Sequence, residues 1–140
     1  MDFRRFEDTY LVRMDRGEEI LSALTCLCEE ENIQLAQVDA LGAVDHAVVG
    51  LYDVSSHTFH KNEFFEPMEI SNLFGIINRK DEKPYLHLHV TLCGADGAAH
   101  GGHAVELRVS ATCEMVIRVL SGTSGRKMDP EIGLNLLQFD

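Results

Sequence analysis

A short run of alternating residues constrains the fold more than any other part of the chain. Residues 85–92, Tyr-Leu-His-Leu-His-Val-Thr-Leu, alternate apolar and polar side chains, which is the period of a half-buried β-strand. Alternation places His87 and His89 on one face of the strand and the apolar side chains on the other, toward a core. Tyr85 and Thr91, like valine, are residue types that favour strands over helices. The segment therefore predicts a sheet whose solvated face carries two histidines.

A third histidine, His103, is predicted to lie directly opposite His89 on the next strand. A three-residue hairpin loop at residues 95–97, with Gly97 in the left-handed conformation, gives this register and leaves His87 diagonal to His103. Directly opposed Cβ atoms are about 5 Å apart and diagonal ones about 7–8 Å. A bulge at Gly101-Gly102 would shift the register, and these glycines could instead allow a backbone or a ligand to come close.

The sequence therefore predicts a metal site made by His87, His89 and His103, whose imidazoles can converge on an ion held at about 2.0–2.1 Å. The competing interpretation is a solvated face whose histidines bind no common metal ion. Three imidazoles leave an open position for water or substrate, and zinc-bound water can ionise near neutral pH. Glu106 is the nearest downstream carboxylate and a candidate base or partner of a metal ligand, although strand alternation turns it away unless Gly101-Gly102 form a bulge. His100 is also expected on the opposite face.

One helix is predicted, over about residues 17–31. Asp15 is the predicted N-cap with Glu18 as its capping-box partner, and Asn32 can end the helix in the left-handed conformation. The apolar side chains at helical spacing are expected to face the core. They are Ile20, Leu21, Leu24, Leu27 and Cys28.

The other apolar segments have the alternation or the composition of strands. They cover residues 7–14, 33–44, 48–54, 58–65, 68–77, 99–109 and 111–120, with a charged turn at 78–84, a loop at 121–127 and an apolar closing segment at 131–139. Gly42 marks a bend, a bulge or a close approach by another backbone. Several strands and one helix predict an α+β fold, with residues 1–140 as a single compact domain built mainly on an antiparallel sheet.

Charge and cysteine usage restrict the possible functions. The formal net charge of -11 disfavours direct binding to DNA, because phosphate backbones are bound by a basic face. The N-terminal residues lack the apolar stretch of a signal peptide, and no apolar segment approaches the roughly 18 residues that span a bilayer. A cytoplasmic protein without a membrane partner is expected. The four cysteines show no C-x-x-C spacing, so we expect reduced thiols and no thiolate zinc site.

Several motifs, in order along the chain, resemble the prokaryotic branch of the plants-and-prokaryotes-conserved (PPC) domain family. They are Arg-Met-Asp-Arg-Gly-Glu-Glu at 13–19, Leu-Gly-Ala-Val at 41–44, Tyr-Leu-His-Leu-His-Val at 85–90, Gly-Gly-His at 101–103 and Gly-Leu-Asn-Leu-Leu at 133–137. The resemblance covers essentially the whole chain. It implies a compact α+β domain that assembles as a homotrimer, with a metal site at the positions of His87, His89 and His103. Zinc is the first candidate for this site, and another divalent transition metal is the alternative.

The resemblance also brings a DNA-binding label. In land plants the domain follows AT-hook motifs that contact DNA, and prokaryotic single-domain members carry a provisional DNA-binding name. This chain has no Arg-Gly-Arg-Pro, the core of an AT-hook.

Three functions remain open at this stage. The first is a trimeric metal-binding module whose partner is another protein or a small-molecule ligand. The second is a metal-dependent, hydrolytic enzyme acting on a small molecule, which requires a proton-transfer group beside the metal. The third is a transcription-associated DNA-binding protein, which depends on the family label alone.

Overall fold

The chain folds into a curled antiparallel sheet that packs against one helix. The computed structural model describes residues 1–139. Within these residues the strands are β1 (Asp2–Phe6), β2 (Thr9–Asp15), β3 (Ala36–Asp53), β4 (Thr58–Phe64), β5 (Met68–Lys80), β6 (Lys83–Cys93), β7 (Ala99–Val119), β8 (Gly125–Asp129) and β9 (Leu134–Gln138), and the helix is α1 (Ile20–Glu30). The α+β prediction, with a largely antiparallel sheet and one major helix, is confirmed.

The main sheet closes on itself. Its strand order is β1-β2-β7-β6-β5-β3-β4, and β3 pairs in addition with β7. The antiparallel pairings β3–β5, β5–β6, β6–β7 and β7–β3 consequently form a closed circuit. Closure is possible because β3 and β7 are long enough to change neighbours along their length. The sequence analysis predicted two strands in place of each, with a break in β3 at residues 45–47 and a break in β7 at Ser110. Both predicted breaks were wrong, because each strand is continuous.

The inner face of the sheet and one face of α1 form the core. Helix residues Ile20, Leu24, Leu27 and Cys28 are fully buried, as predicted from their spacing, and Leu21 is half-buried. On β6 the residues Leu88, Val90 and Leu92 are buried, so the histidines of this strand lie on the outer face. Burying an aliphatic side chain of this size stabilises the fold by about 1.5–3 kcal/mol.

The helix begins later than the sequence predicted. Its N-cap is Glu19, whose carboxylate accepts hydrogen bonds from the backbone N–H groups of Leu21 (3.0 Å) and Ser22 (2.8 Å). Asp15 is the last residue of β2 and does not cap the helix. The reason is Gly17, whose φ of +90° turns the chain between Asp15 and the helix. Asn32 has a φ of +51°, as predicted for the residue that ends the helix.

Arg79 ties the end of the helix to the sheet. Its guanidinium donates to the carbonyl groups of Ile33 (3.0 Å), Cys28 (3.2 Å) and Glu82 (3.1 Å). The sequence placed Arg79 in a charged turn at 78–84, but β5 and β6 continue up to a two-residue turn at Asp81 and Glu82. Both of these have positive φ, 50° and 64°, as a tight hairpin turn requires.

Two strand pairs were missed in part. The predicted first strand, 7–14, is the second strand of a hairpin whose first strand is β1. The C-terminal loop and closing segment contain the separate hairpin β8–β9.

Gly42 lies at a register shift of β3, and a Cβ there would come within 2.4 Å of the carbonyl oxygen of Thr112. The predicted bulge and close approach at Gly42 are therefore both present.

The two cysteines of the helix lie on different sides of it. All four cysteines are free, and Cys26 is exposed whereas Cys28 is buried, as expected for residues two apart on a helix.

In the described part of the chain, no helix has the length and apolar character needed to cross a membrane.

Candidate metal centre

The hairpin between β6 and β7 has the predicted register. Gly97 has a φ of +78°, and the N–H of Gly94 donates to the carbonyl of Ala98 at 3.0 Å. His89 is consequently paired with His103. The turn thus sets which residues of the two strands face each other.

The predicted ligands His87, His89 and His103, called the histidine cluster below, lie together on the outer face of the sheet. Their ring centroids form a nearly equilateral triangle, with separations of 5.3, 5.4 and 5.6 Å. One ring nitrogen from each lies within 4.8 Å of the other two. A tetrahedral ion bound at about 2.0–2.1 Å by three imidazoles would hold the ring centroids roughly 5 Å apart. Small ring rotations would therefore suffice for the cluster to hold one ion.

His100 lies apart from the cluster, as predicted. It pairs with Leu92, whose side chain is fully buried in the core. Its ring is 4.9 Å from that of Phe64. Since His100 and His103 project from opposite faces of β7, His100 contributes nothing to the site. His57 and His60, which the sequence assigned to solvent, are exposed.

Two glycines allow β7 to reach both of its neighbours beside the cluster. A Cβ on Gly101 would lie 2.5 Å from the carbonyl oxygen of Val90 on β6. A Cβ on Gly102 would lie 2.6 Å from the carbonyl oxygen of Gly50 on β3. The register from residue 99 to His103 is unbroken, so these glycines accommodate close backbones and do not form a bulge.

Burial favours the neutral, metal-binding form of two of the histidines. Burial lowers the pKa of His103, and the charges of the other two rings lower it further. Burial also lowers the pKa of His87, followed by the positive charge of Arg126 and then that of His89. Because a metal binds the deprotonated ring nitrogen, both shifts reduce the competition between protons and a metal near neutral pH.

Aromatic and apolar side chains border the cluster. The Phe59 ring meets the His103 ring edge-on, with centroids 6.0 Å apart and planes at 87°. Phe74 lies beside His89, with ring centroids 6.3 Å apart. His87 and His89 also form one wall of an outer-face groove of about 680 Å³. The other lining residues are Gln37, Val38, Asp39, Asn72, Phe74, Gly75 and Ile76.

Glu106 shares the face of His103 but is committed elsewhere. Val48 pairs with Glu106 and Val49 with Ala104, so β7 carries an extra residue between them. This bulge overturns the simple alternation and brings the Glu106 carboxylate to 3.2 Å from His46 Nδ1. The other ring nitrogen of His46 lies 2.9 Å from Glu63. Neither Glu106 nor His100, the two candidates for proton transfer, is therefore directed at the cluster.

Arg126 is a site residue that the sequence analysis missed. Its guanidinium lies over the ring of Tyr85 at 4.7 Å, and Tyr85 shares the outer face of β6 with His87. Arg126 donates to Asn78 Oδ1 (3.1 Å) and to the carbonyl of Asn135 (3.1 Å). No local pattern could have placed it here, because it comes from a different hairpin far along the chain.

Comparisons with known proteins agree with this fold. The chain is 37% identical to a metal-containing protein from Archaeoglobus fulgidus, over 99% of this chain and 97% of that one, with a TM-score of 0.89. A provisionally named DNA-binding protein from Bacteroides thetaiotaomicron is 30% identical, over 99% and 96%, with a TM-score of 0.96. A plant- and prokaryote-conserved (PPC) protein from Pyrococcus horikoshii is 27% identical, over 99% and 94%, with a TM-score of 0.87. No curated protein is significantly similar. The model of the Plants and Prokaryotes Conserved (PCC) domain matches residues 1–121, and the chain belongs to this family.

Proposed function

We propose that the protein is a metal-binding PPC-domain protein whose histidine cluster holds one zinc ion. The observation that carries this proposal is the convergence of three ring nitrogens within 4.8 Å on a rigid pair of strands. Zinc is favoured over harder cations because all three groups are imidazoles, whereas calcium and magnesium prefer oxygen ligands. The Archaeoglobus fulgidus protein, which is similar over nearly its whole length, contains a metal, and this supports a metal in the same fold here.

Metal analysis of protein purified without an affinity tag tests this proposal. We expect about one zinc per chain after equilibration with zinc and removal of the excess. His87→Ala should lower the zinc content sharply, because two imidazoles hold zinc far less tightly than three. His60→Ala is the matched control, since it removes an exposed histidine outside the cluster. Equal zinc content in wild type and His87→Ala would refute the assignment.

The three histidines would leave the zinc ion with an open coordination position. When bound, zinc would act as a Lewis acid toward whatever occupies that position. The ligand is therefore a small molecule or a group from a partner protein. A hydrolytic activity is the weaker alternative, because Glu106 bonds His46 and His100 faces the other side of the sheet.

We also propose that the outer face associates with further copies of the chain as a homotrimer. A continuous row of paired residues crosses this face from Leu11 to the cluster, through Val116, Asp39, Phe74 and His89. Leu11, Val116 and Phe74 in this row are 53%, 43% and 49% exposed. Large apolar side chains clustered on one sheet face are typical of a protein interface. The number of three copies is the family expectation.

Sedimentation equilibrium tests the assembly. We expect a mass three times the 15.7 kDa of one chain. Leu11→Glu should weaken assembly, because it places a charge in the apolar row. Leu51→Glu is the control, since this leucine is 66% exposed but lies on the opposite face of β3. A monomeric wild type at micromolar concentration would refute this part of the proposal.

The DNA-binding names of relatives do not carry over to the proposal. A net charge of -11 repels a phosphate backbone, and DNA affinity normally begins with non-specific electrostatic binding. We expect no gel shift of random duplexes at physiological salt. A shift that weakens as salt rises would contradict this expectation.

A further inference from the structure

Within residues 1–139, the guanidinium of Arg126 is a positive charge near the histidine cluster that has no carboxylate partner. Its neighbours are neutral groups: the amide oxygen of Asn78, the carbonyl of Asn135 and the ring of Tyr85. No carboxylate in residues 1–139 forms an ion pair with it. Arginine keeps its proton under these conditions, so the charge persists.

One donor of this guanidinium is also unused. The Nη2 atom of Arg126 is buried and has no hydrogen-bond partner in the described part of the chain. A buried donor without an acceptor is costly, so an acceptor from outside the chain is expected to complete it. Asn135 Oδ1 is an unpaired acceptor in the same hairpin, but a neutral amide would leave the positive charge uncompensated.

The charge of Arg126 lies close to the cluster. Its guanidinium is 4.7 Å from the centroid of the Tyr85 ring, and Tyr85 precedes His87 by two residues on the same face of β6, about 7 Å along the strand. Zinc on three neutral imidazoles would add two further positive charges to the same region. The groove's carboxylate, Asp39, is separated from His89 by Phe74, two strand spacings or about 10 Å away. The site thus concentrates positive charge in a protein whose net charge is -11.

We propose that Arg126 is an anion-recognition residue and that the histidine cluster takes a small ligand bearing an oxyanion, a carboxylate or a phosphate. This inference rests on the proposed metal site. The oxyanion would offset part of the combined charge of the metal and the guanidinium and would supply the acceptor that Nη2 lacks. Guanidinium groups bind such oxygens strongly because their hydrogen bonds are charge-assisted and because the planar group can donate two parallel bonds to one anion.

Hairpin β8–β9 holds Arg126 at this position. At one end the hairpin is anchored through Asn78, which is fully buried and bonds Ser124 and Gly125 as well as Arg126. At the other end Gly133 packs against the hydroxyl of Tyr52. A fixed hairpin presents the guanidinium at a constant place beside His87, as a specificity-determining residue requires.

Calorimetric titration of zinc-loaded protein with acetate and, separately, with inorganic phosphate tests the proposal. We expect at least one of them to bind, and the tighter one identifies the class of oxyanion. Arg126→Gln should weaken that binding about ten- to hundred-fold, the effect of losing a charge-assisted hydrogen bond. Arg118→Gln is the control, because it removes an exposed guanidinium on the same face, three strand spacings or about 14 Å from His87.

The outcomes separate the two proposals. If zinc analysis shows no bound metal, the proposed metal site fails and this inference fails with it. If zinc binds but neither anion does, or if Arg126→Gln and Arg118→Gln bind alike, the anion proposal alone is overturned. Should Arg126→Gln not fold, Arg126→Lys replaces it. Lysine keeps the charge but loses the planar fork, so it should bind more weakly than wild type yet remain measurable.

Discussion

Substitution of Gly50 by alanine should disturb the proposed metal centre, because this glycine is paired with His103 and makes room for the Phe59 ring beside it. A Cβ on Gly50 would lie 2.5 Å from Cζ of Phe59 and 2.6 Å from the carbonyl oxygen of His60. The Phe59 ring therefore lies directly over Gly50, where it meets the His103 ring edge-on at 6.0 Å. Both contacts are shorter than a carbon atom tolerates, so something must move.

The cost depends on which neighbour gives way. The phenyl ring of Phe59 can rotate, but the carbonyl of His60 belongs to the β3–β4 ladder and cannot shift without stretching it. Overpacking of this kind typically costs about 1–3 kcal/mol. Displacement of the Phe59 ring also removes a wall of the His103 side chain, and loss of such support typically weakens metal binding about tenfold or more.

The assay pairs two glycines. Gly125→Ala is the control, because a Cβ there would meet nothing within 4 Å and its φ is not in the left-handed region. Urea unfolding of the metal-free variants, at equal protein concentration, should show Gly50→Ala destabilised by about 1–3 kcal/mol and Gly125→Ala within about 0.5 kcal/mol of wild type. Competition with a chelating dye should show weaker zinc binding for Gly50→Ala only. If Gly50→Ala matched wild type in both measurements, the packing of Phe59 between Gly50 and His103 would be refuted.

Two further predictions concern protonation. The pKa values of His87 and His103 lie below the ordinary value of 6.5, so the unfolded chain binds more protons than the folded one as the pH falls. The metal-free protein should therefore lose stability as the pH falls through about 6.5 and then through the lowered folded pKa values. A variant with glutamine at both positions should lose less stability over the same range. Equal decreases of the urea midpoint in the variant and the wild type would contradict this. Burial raises the pKa of the Cys28 and Cys113 thiols to about 12. Iodoacetamide at neutral pH should therefore alkylate exposed Cys26 in the native protein and leave Cys28 and Cys113 unmodified. Mass spectrometry of the treated protein measures the modification. Rapid modification of either buried thiol in folded protein would show that its environment is open.

The parts of the structure that could be predicted from the sequence are those fixed by residues close together in the chain. The pairing of His89 with His103 follows from a three-residue turn and from alternation on either side of it. The apolar stripe of α1 follows from helical spacing in the same way. In both cases the information lies within about 20 residues, and few competing interactions intervene.

The errors arose where distant segments decide the outcome. Glu106 was assigned to the wrong face because a bulge in β7, set by its pairing with Val48, reverses the alternation. The turn at 78–84 looked exposed because it is highly charged, yet Asn78 is fully buried under β8 and Arg79 bonds the end of the helix. These polar residues are buried because partners elsewhere in the chain satisfy them, which composition cannot show.

The same distinction between local and distant segments applies to the proposed metal centre, whose ligand positions are set locally and whose surroundings are not. Its ligands come from one hairpin, so their register survives as long as the turn at residues 95–97 does. Their surroundings come from other strands: Phe59 from β4, Phe74 from β5 and Arg126 from β8. Changes in these strands should alter the affinity for a metal and the choice of ligand while His89 and His103 stay paired. The β6–β7 hairpin thus sets the positions of the three proposed ligands, and segments outside it would determine what a bound metal contacts.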